Sequence, residues 1–348
     1  MFDYIIVGQG IAGSMLSWLL LKAGQKIAVI DAYNPTSASH IASGITNPIT
    51  GRRFVKTWMA DELIPFAENT YRELEDVLSI SFYHPLPIIK LFDSTRSQND
   101  WSARCATQDY LPYLKNDKIV YLDKTKVKNN FGGFEINGGS KLDVPVFLNA
   151  YRQFLREKEL LIEEDFSVAD LVHEEAHISY KGLQAEKIIF CEGANAIGNS
   201  YFSYLPFQLA KGECLVVKIA DFYADKIING DVLIMPLASD EYYIGATHEW
   251  DFENSLPSEK GKEELLTGLS ALLKIPFEVT IHKAAIRPTV KDRRPFIGLH
   301  PQYNNIGIFN GMGTKGISLA PYFANHFVSH LLHDRPLMKE VDIKRVLS

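Results

Sequence analysis

Four residues near the start of the chain have the types and spacing to hold phosphate and sugar: Gly8, Gly10, Gly13 and Asp31. The glycines stand in Gly8-Gln9-Gly10-Ile11-Ala12-Gly13, and the acid follows roughly twenty residues beyond the turn. Gly8 permits a tight turn, Gly10 admits a pyrophosphate beside the backbone, and Gly13 lets a helix pack close to a sheet. Ile11 and Ala12 open that helix, whose unpaired N–H groups and positive dipole end suit phosphate. Asp31 is placed to accept from a ribose 2′-hydroxyl and to repel a 2′-phosphate. This is a dinucleotide fingerprint, and by itself it does not separate NAD from FAD. A basic cluster, Gly51-Arg52-Arg53-Phe54-Val55-Lys56, suits attraction of an anionic substrate; solvated surface is its alternative reading.

The elements that must position these residues are visible around them. Tyr4–Val7 and Ile27–Ile30 are short apolar runs that read as strands buried on both faces, and 12–23 carries helical spacing between them. Residues 32–48 are small and without period, a loop. Residues 58–78 read as one or two helices with Trp58, Leu63, Phe66, Tyr71, Leu74 and Leu78 on one face, and Pro65 is expected to kink or split them. From Phe82 to about Asn137 the pattern turns to short β-like runs at 88–92, 118–122 and 134–137, with Gly-Gly turns at 132–133 and 138–139. Pro145 sits in the first turn of a further helix, followed by a return strand at 160–162. Later runs at 185–190, 211–217, 232–236 and 242–247 read as strands, and Pro257-Ser258 opens a helix to about Leu273. Near the C-terminus a strand at 307–310 leads through Gly311-Met312-Gly313-Thr314-Lys315-Gly316-Ile317 into a helix at 318–332.

At 348 residues the chain is long enough for two domains, and its 46% apolar content is that of a globular protein. No apolar run is long enough to span a bilayer. A fold that begins at residue 2 or 3 leaves no place for a leader, and three cysteines lack metal-ligand spacing. The expectation is a reducing, cytoplasmic location without a metal. A net charge of −6 gives nucleic-acid binding no general support.

Together these motifs resemble the glycine oxidase/D-amino-acid oxidase superfamily of FAD-dependent amine oxidoreductases. Ala38-Ser39, Gly44-Ile45 and Pro48 fit the loop that crosses pyrophosphate and flavin in that family. Ile188–Gly193 fits its second flavin motif, although Glu192 is larger than usual there. Lys211-Gly212-Glu213, the run ending in Pro236, and Ile244-Gly245-Ala246-Thr247 follow in the family's order. Residues 285–298 and the glycine turn at 311–316 complete the likeness, which spans essentially the whole chain.

The resemblance implies an α/β fold: a Rossmann-type FAD-binding domain (1–81, 140–205 and 285–348) with an inserted antiparallel-sheet substrate domain (82–139 and 206–284). It implies noncovalent FAD, held by Gly8, Gly10, Ile11, Ala12, Gly13, Asp31, Ser39, His40, Ser43, Gly44, Ile45, Phe166 and Gly193. The flavin-facing turn adds Gly311, Met312, Gly313, Thr314, Lys315 and Gly316, whose dipole end would favour negative charge on the reduced flavin. His40 is one position out of register for covalent attachment, and no cysteine follows Cys214. The implied activity is oxidation of a CH–NH bond of an amino acid or secondary amine to an imine, with dioxygen or another acceptor reoxidising the flavin. Arg287 would bind a substrate carboxylate, Lys315 would offset charge on the flavin or help hold an anion, and Asn47 is a further candidate. Leu233 stands where glycine oxidase has a substrate-binding tyrosine, so Tyr242, Asn47 or Arg52 would complete the clamp. A second reading is the oxidase half of the tRNA wobble-uridine modification enzyme, with basic clusters at 52–56 and 291–294 facing tRNA. A flavin-binding module without turnover is a third.

Overall fold

A computed structural model describes residues 1–114, 118–174 and 176–347. The fold is α/β and begins as the sequence pattern requires. Strand β1 (Phe2–Val7) runs into the glycine turn, helix α1 (Ile11–Lys22) follows, and β2 (Ile27–Ile30) ends at Asp31. Helix α1 is buried on nearly every side from Ile11 to Leu20, which explains its apolar composition all round.

Among the described residues, eight strands form the first sheet. Leu161–Ile162, β2, β1 and Leu183–Phe190 lie side by side and parallel. The strand 183–190 has two partners along its outer edge. Its first half meets Ile178–Tyr180 antiparallel, and its second half meets Ile306–Asn310 in parallel. The carboxyl ends of β1, β2, 183–190 and 306–310 therefore open on one side, where crevices between parallel strands bind ligands. Helix Gly316–His333 and α1 pack together against this sheet, with Phe323, Phe327, Leu16 and Leu20 in one core.

Seven strands form the second sheet, in the order Glu278–Arg287, Ala210–Lys218, Glu241–Gly245, Leu233–Pro236, Ile227–Asn229, Ile88–Leu91 and Gly133–Ile136. It is antiparallel except where 227–229 runs parallel to 88–90. A three-stranded sheet joins β3 (Ile45–Thr46), Ser140–Leu142 and Tyr83–Pro85. No helix among the described residues is long and apolar enough to cross a membrane.

Three local expectations are corrected. The segment 32–48 is not wholly irregular: it holds helix α2 (Ala38–Ile41), whose first turn is capped by the Ser37 hydroxyl, and β3. Pro65 does not split its helix, which runs unbroken from Ala60 to Leu78 as α3. Burial of Leu63, Ala67, Tyr71 and Leu74 on both sides of the proline outweighs the one backbone hydrogen bond it cannot donate. Trp58 lies before this helix and stacks on Phe323. The run 118–122 is not a strand; Val120 makes one bridge to Gly133, while Ile119 and Tyr121 are exposed. Asp123 then closes a turn by accepting from Thr125 N at 2.9 Å, which takes the chain away from the sheet.

Candidate functional site

The open carboxyl ends of the parallel strands face the second sheet across a cleft of about 610 Å³. At one end it is lined by Gly8, Gly10, Ile11, Ala12 and Asp31, with Phe166 and Gly193 alongside. The segment 36–45 forms a wall that includes Ser39, His40, Ser43, Gly44 and Ile45. At the far end lie Gly212, Cys214, Tyr243, Thr247, His248 and Arg287, with Met312, Gly313, Thr314 and Gly316 beneath them. The residues singled out at both ends of the sequence thus meet in one cavity.

Four of them lie elsewhere. A Cβ on Gly13 would come within 1.8 Å of the Gly8 carbonyl oxygen, so Gly13 serves the helix–sheet contact and not the cleft surface. Gly311, at φ +80°, packs below the turn against Val290 and the backbone of Phe296. Asn47 and Lys315 line a separate, smaller cavity. The Asn47 side-chain Oδ1 accepts from Ile49 N at 2.9 Å and closes a turn. Lys315 Nζ donates to Thr57 Oγ1 at 3.3 Å, on the side of the turn away from Arg287.

The nucleotide end is organised by a network that the motif did not reveal. Gln9 N donates to Asp31 Oδ2 at 2.8 Å, and Tyr33 N donates to Oδ1 at 2.8 Å. Arg152 Nη1 also donates to Asp31 Oδ1, at 2.7 Å, and its Nη2 reaches Glu163 at 3.0 Å. The hydrogen bonds from Arg156 and Arg152 hold the Glu163 carboxyl down to about 2. Asp31 Oδ2 keeps one acceptor position for a sugar hydroxyl. Arg152 occupies the apolar stripe of helix Val144–Glu157, four residues after buried Leu148, and a charge on that stripe was the available signal.

Several observations fit this end to a dinucleotide. His40 Nδ1 is engaged by Ser37 Oγ at 2.9 Å, while its buried Nε2 has no partner and the ring lines the cleft. Burial lowers the His40 pKa, so a neutral ring is favoured. Nothing stands within 4 Å of where a Cβ of Gly193 would be, which leaves open space beyond the end of the strand 183–190. Glu192 lines the cleft beside it, and burial raises its carboxyl pKa while Asn199 Nδ2 donates to Oε2 at 2.8 Å.

At the other end, the half-buried Arg287 guanidinium has no acidic partner among the described residues. Its Nη1 donates to Thr247 O at 3.0 Å and approaches His248 Nδ1 at 3.4 Å. A Cβ on Gly212 would come within 1.9 Å of Nη2, so glycine there makes room for the fork. Burial and then the nearby Arg287 and Arg293 lower the His248 pKa, leaving a neutral ring able to accept. Tyr243, not Tyr242, faces the cleft. The two alternate on their strand, and Tyr242 OH donates to Phe222 O on the opposite face. Tyr243 lies beside Cys214, and burial pushes the Cys214 thiol up to about 11. Leu233 shares a sheet face with Tyr243 but packs into the cluster around Ile49 and Phe54 and does not line the cleft, while Arg52 and Arg53 are exposed outside it.

Comparison with known proteins shows the family and the fold. Residues 3–329 match the family model described as DAO, FAD dependent oxidoreductase. A glycine oxidase of Bacillus licheniformis is 25% identical over 335 residues, which cover 92% of this chain and 90% of that protein. The crystal structure of glycine oxidase from Geobacillus kaustophilus matches with a TM-score of 0.79 at 20% identity, covering 97% of this chain and 95% of that one. A shorter match, 36% identical over 93 residues, is to a tRNA 5-methylaminomethyl-2-thiouridine biosynthesis bifunctional protein of Caulobacter vibrioides. It covers 25% of this chain and 15% of that protein.

Glu192 gives a stability test. Because burial raises its folded pKa above the unfolded value, its contribution is whole at acid pH and is lost as pH rises through the folded pKa. Thermal unfolding of Glu192→Gln should therefore gain on the wild type as pH moves from 4 to 8. A difference in Tm that stays flat over that range would contradict it.

Proposed function

The chain belongs to the family of FAD-dependent oxidoreductases, and from that premise we propose that it oxidises the CH–NH bond of a small, carboxylate-bearing amine to an imine. When bound, FAD supplies the hydride-accepting chemistry, and dioxygen or another acceptor takes the electrons onward. In this reading the Gly8–Gly13 turn and the start of α1 hold the pyrophosphate, Asp31 the ribose, and the backbone of 312–316 the pyrimidine end. In the same reading the cofactor is held without a covalent bond: His40 is one position out of register for attachment, and the chain has no cysteine after Cys214.

The observation that carries the substrate assignment is Arg287. A half-buried guanidinium without a counter-charge is costly, and a carboxylate matches its fork with two parallel hydrogen bonds. Thr247 O and the neutral His248 ring hold the fork in place, and Gly212 keeps space over Nη2. The Tyr243 hydroxyl, which lines the cleft with Arg287, takes the place of the hydroxyl missing at Leu233. An amine that arrives neutral needs no dedicated base, since its nitrogen lone pair drives the hydride out directly.

Pairs of substrates with and without the carboxylate test this. N-Methylglycine against dimethylamine is one such pair. Arg287→Ala should lower kcat/KM for the acid by roughly 10- to 100-fold, the worth of a charge-assisted hydrogen bond of about 1.5–3 kcal/mol. It should leave the carboxylate-free amine little changed. Equal losses on both members, or none, would remove Arg287 from the role.

A second reading, oxidation of an amine carried on tRNA, is favoured by one feature of the cleft mouth. Exposed Trp250 meets His248 edge-on at 4.5 Å, and the exposed cation Arg293 lies close enough to depress that histidine. An exposed ring beside cations suits an unstacked base. Retention of tRNA by the protein should then fall steeply with added salt. No retention at low salt, or retention indifferent to salt, would count against this reading.

A further inference from the structure

A second cavity lies behind the glycine turn, on the side away from Arg287. Its volume is about 130 Å³, and Thr46, Asn47, Thr50, Thr57, Lys315 and Ser318 supply its polar groups. Its remaining walls are mostly apolar, from β3 and the first turns of α3. Ile45 and Thr314 line both cavities, so a single layer of residues separates this one from the main cleft. A water molecule occupies about 30 Å³ of liquid, so the space holds a few waters or one small ion with its shell incomplete.

Two groups in it have unmet hydrogen-bonding capacity. Thr46 is only 4% exposed, and its hydroxyl has no partner. Lys315 Nζ makes one hydrogen bond, to Thr57 Oγ1, of the three an ammonium can donate. Among the described residues no acidic side chain lines the cavity. Asp61, one residue into α3, is already taken by Lys56 and Tyr113. The charges that act on Lys315 are Arg293 and Arg294, both positive, and Arg294 is held over the Trp58 ring at 3.8 Å. Burial and these two arginines pull the Lys315 pKa down to about 8, so it remains largely an ammonium at neutral pH.

A cation, an unpartnered hydroxyl and no counter-charge in one small enclosed space form a site for negative charge. We propose that this second cavity binds a small monoanion of halide size, held by Lys315 Nζ and the Thr46 hydroxyl, while Thr57, whose own hydroxyl donates to Asn47 O at 2.9 Å, holds Lys315 in place. The site stands without the FAD reading; its optical signature rests on that reading. Because one residue layer separates it from the cleft, an occupant cancels the Lys315 charge where the flavin-facing turn begins. Occupancy therefore makes the bound flavin harder to reduce, which would let the ionic surroundings tune the enzyme.

The test uses sodium chloride titrated at constant ionic strength against sodium gluconate, whose anion is too bulky for the space. Two readouts are followed: Tm, and the visible spectrum of the FAD-loaded protein. The wild type should show a saturable rise in Tm and a saturable change in the flavin bands with the same half-saturation. Lys315→Met should abolish both, and Thr46→Val should raise the half-saturating chloride roughly tenfold, the worth of one hydrogen bond. No saturable response in the wild type, or one that survives Lys315→Met, overturns the proposal. A protein that takes up no FAD yet keeps the Lys315-dependent rise in Tm sustains the anion site and fails the flavin reading alone.

Discussion

The first turn of α1 approaches the end of β1 too closely for any side chain between them, and the cleft depends on that approach. A Cβ on Gly13 would stand 1.8 Å from Gly8 O, and one on Gly8 would stand 2.6 Å from Cys191 O. Helix, turn and neighbouring strand are thus pressed together along backbone atoms, at a distance that no side chain permits. That approach brings the helix N-terminus to the mouth of the parallel sheet, where its free N–H groups and dipole are useful to phosphate. The same compression explains why α1 is buried on all sides and why its sequence is apolar around the whole cylinder.

Cations then divide the cleft into regions of different chemistry. Arg152 is buried and neutralised within the protein by Asp31 and Glu163, so it is a structural charge that stiffens the sugar end. Arg287 and Lys315 are enclosed without such neutralisation among the described residues. In the proposed function the first meets a substrate carboxylate. The second faces away from that position, into a cavity of its own. The glycine turn at 311–316 separates the two spaces, so its backbone stands between two positive charges pointing in different directions.

Much of this was legible in the sequence because it depends on backbone geometry. The strand–turn–helix–strand succession, the acid after β2 and the second glycine turn all carry signals that side-chain packing does not alter. Helix ends were equally readable, as at Ser258, whose hydroxyl accepts from Gly261 N. Side-chain direction was not. Tyr242 and Tyr243 carry the same chemistry on adjacent positions, and only the second sheet's orientation decides which one enters the cleft. Lys315 directly follows the cleft residue Thr314 and Asn47 stands two positions after Ile45, yet each lines the other cavity. Arg152 lies far from Asp31 in sequence, and no local spacing rule connects them. Pro65 misled because its local cost is real but smaller than the burial of the α3 face.

The central claim, that the cleft oxidises a carboxylate-bearing amine at a bound flavin, is met most directly by anaerobic spectroscopy of the FAD-loaded protein. Amines with a carboxylate would be mixed with it in the absence of oxygen and the visible bands followed. The account predicts that the oxidised-flavin bands disappear with at least one of them. Bands that persist through the whole panel, while dithionite bleaches them at once, would contradict it.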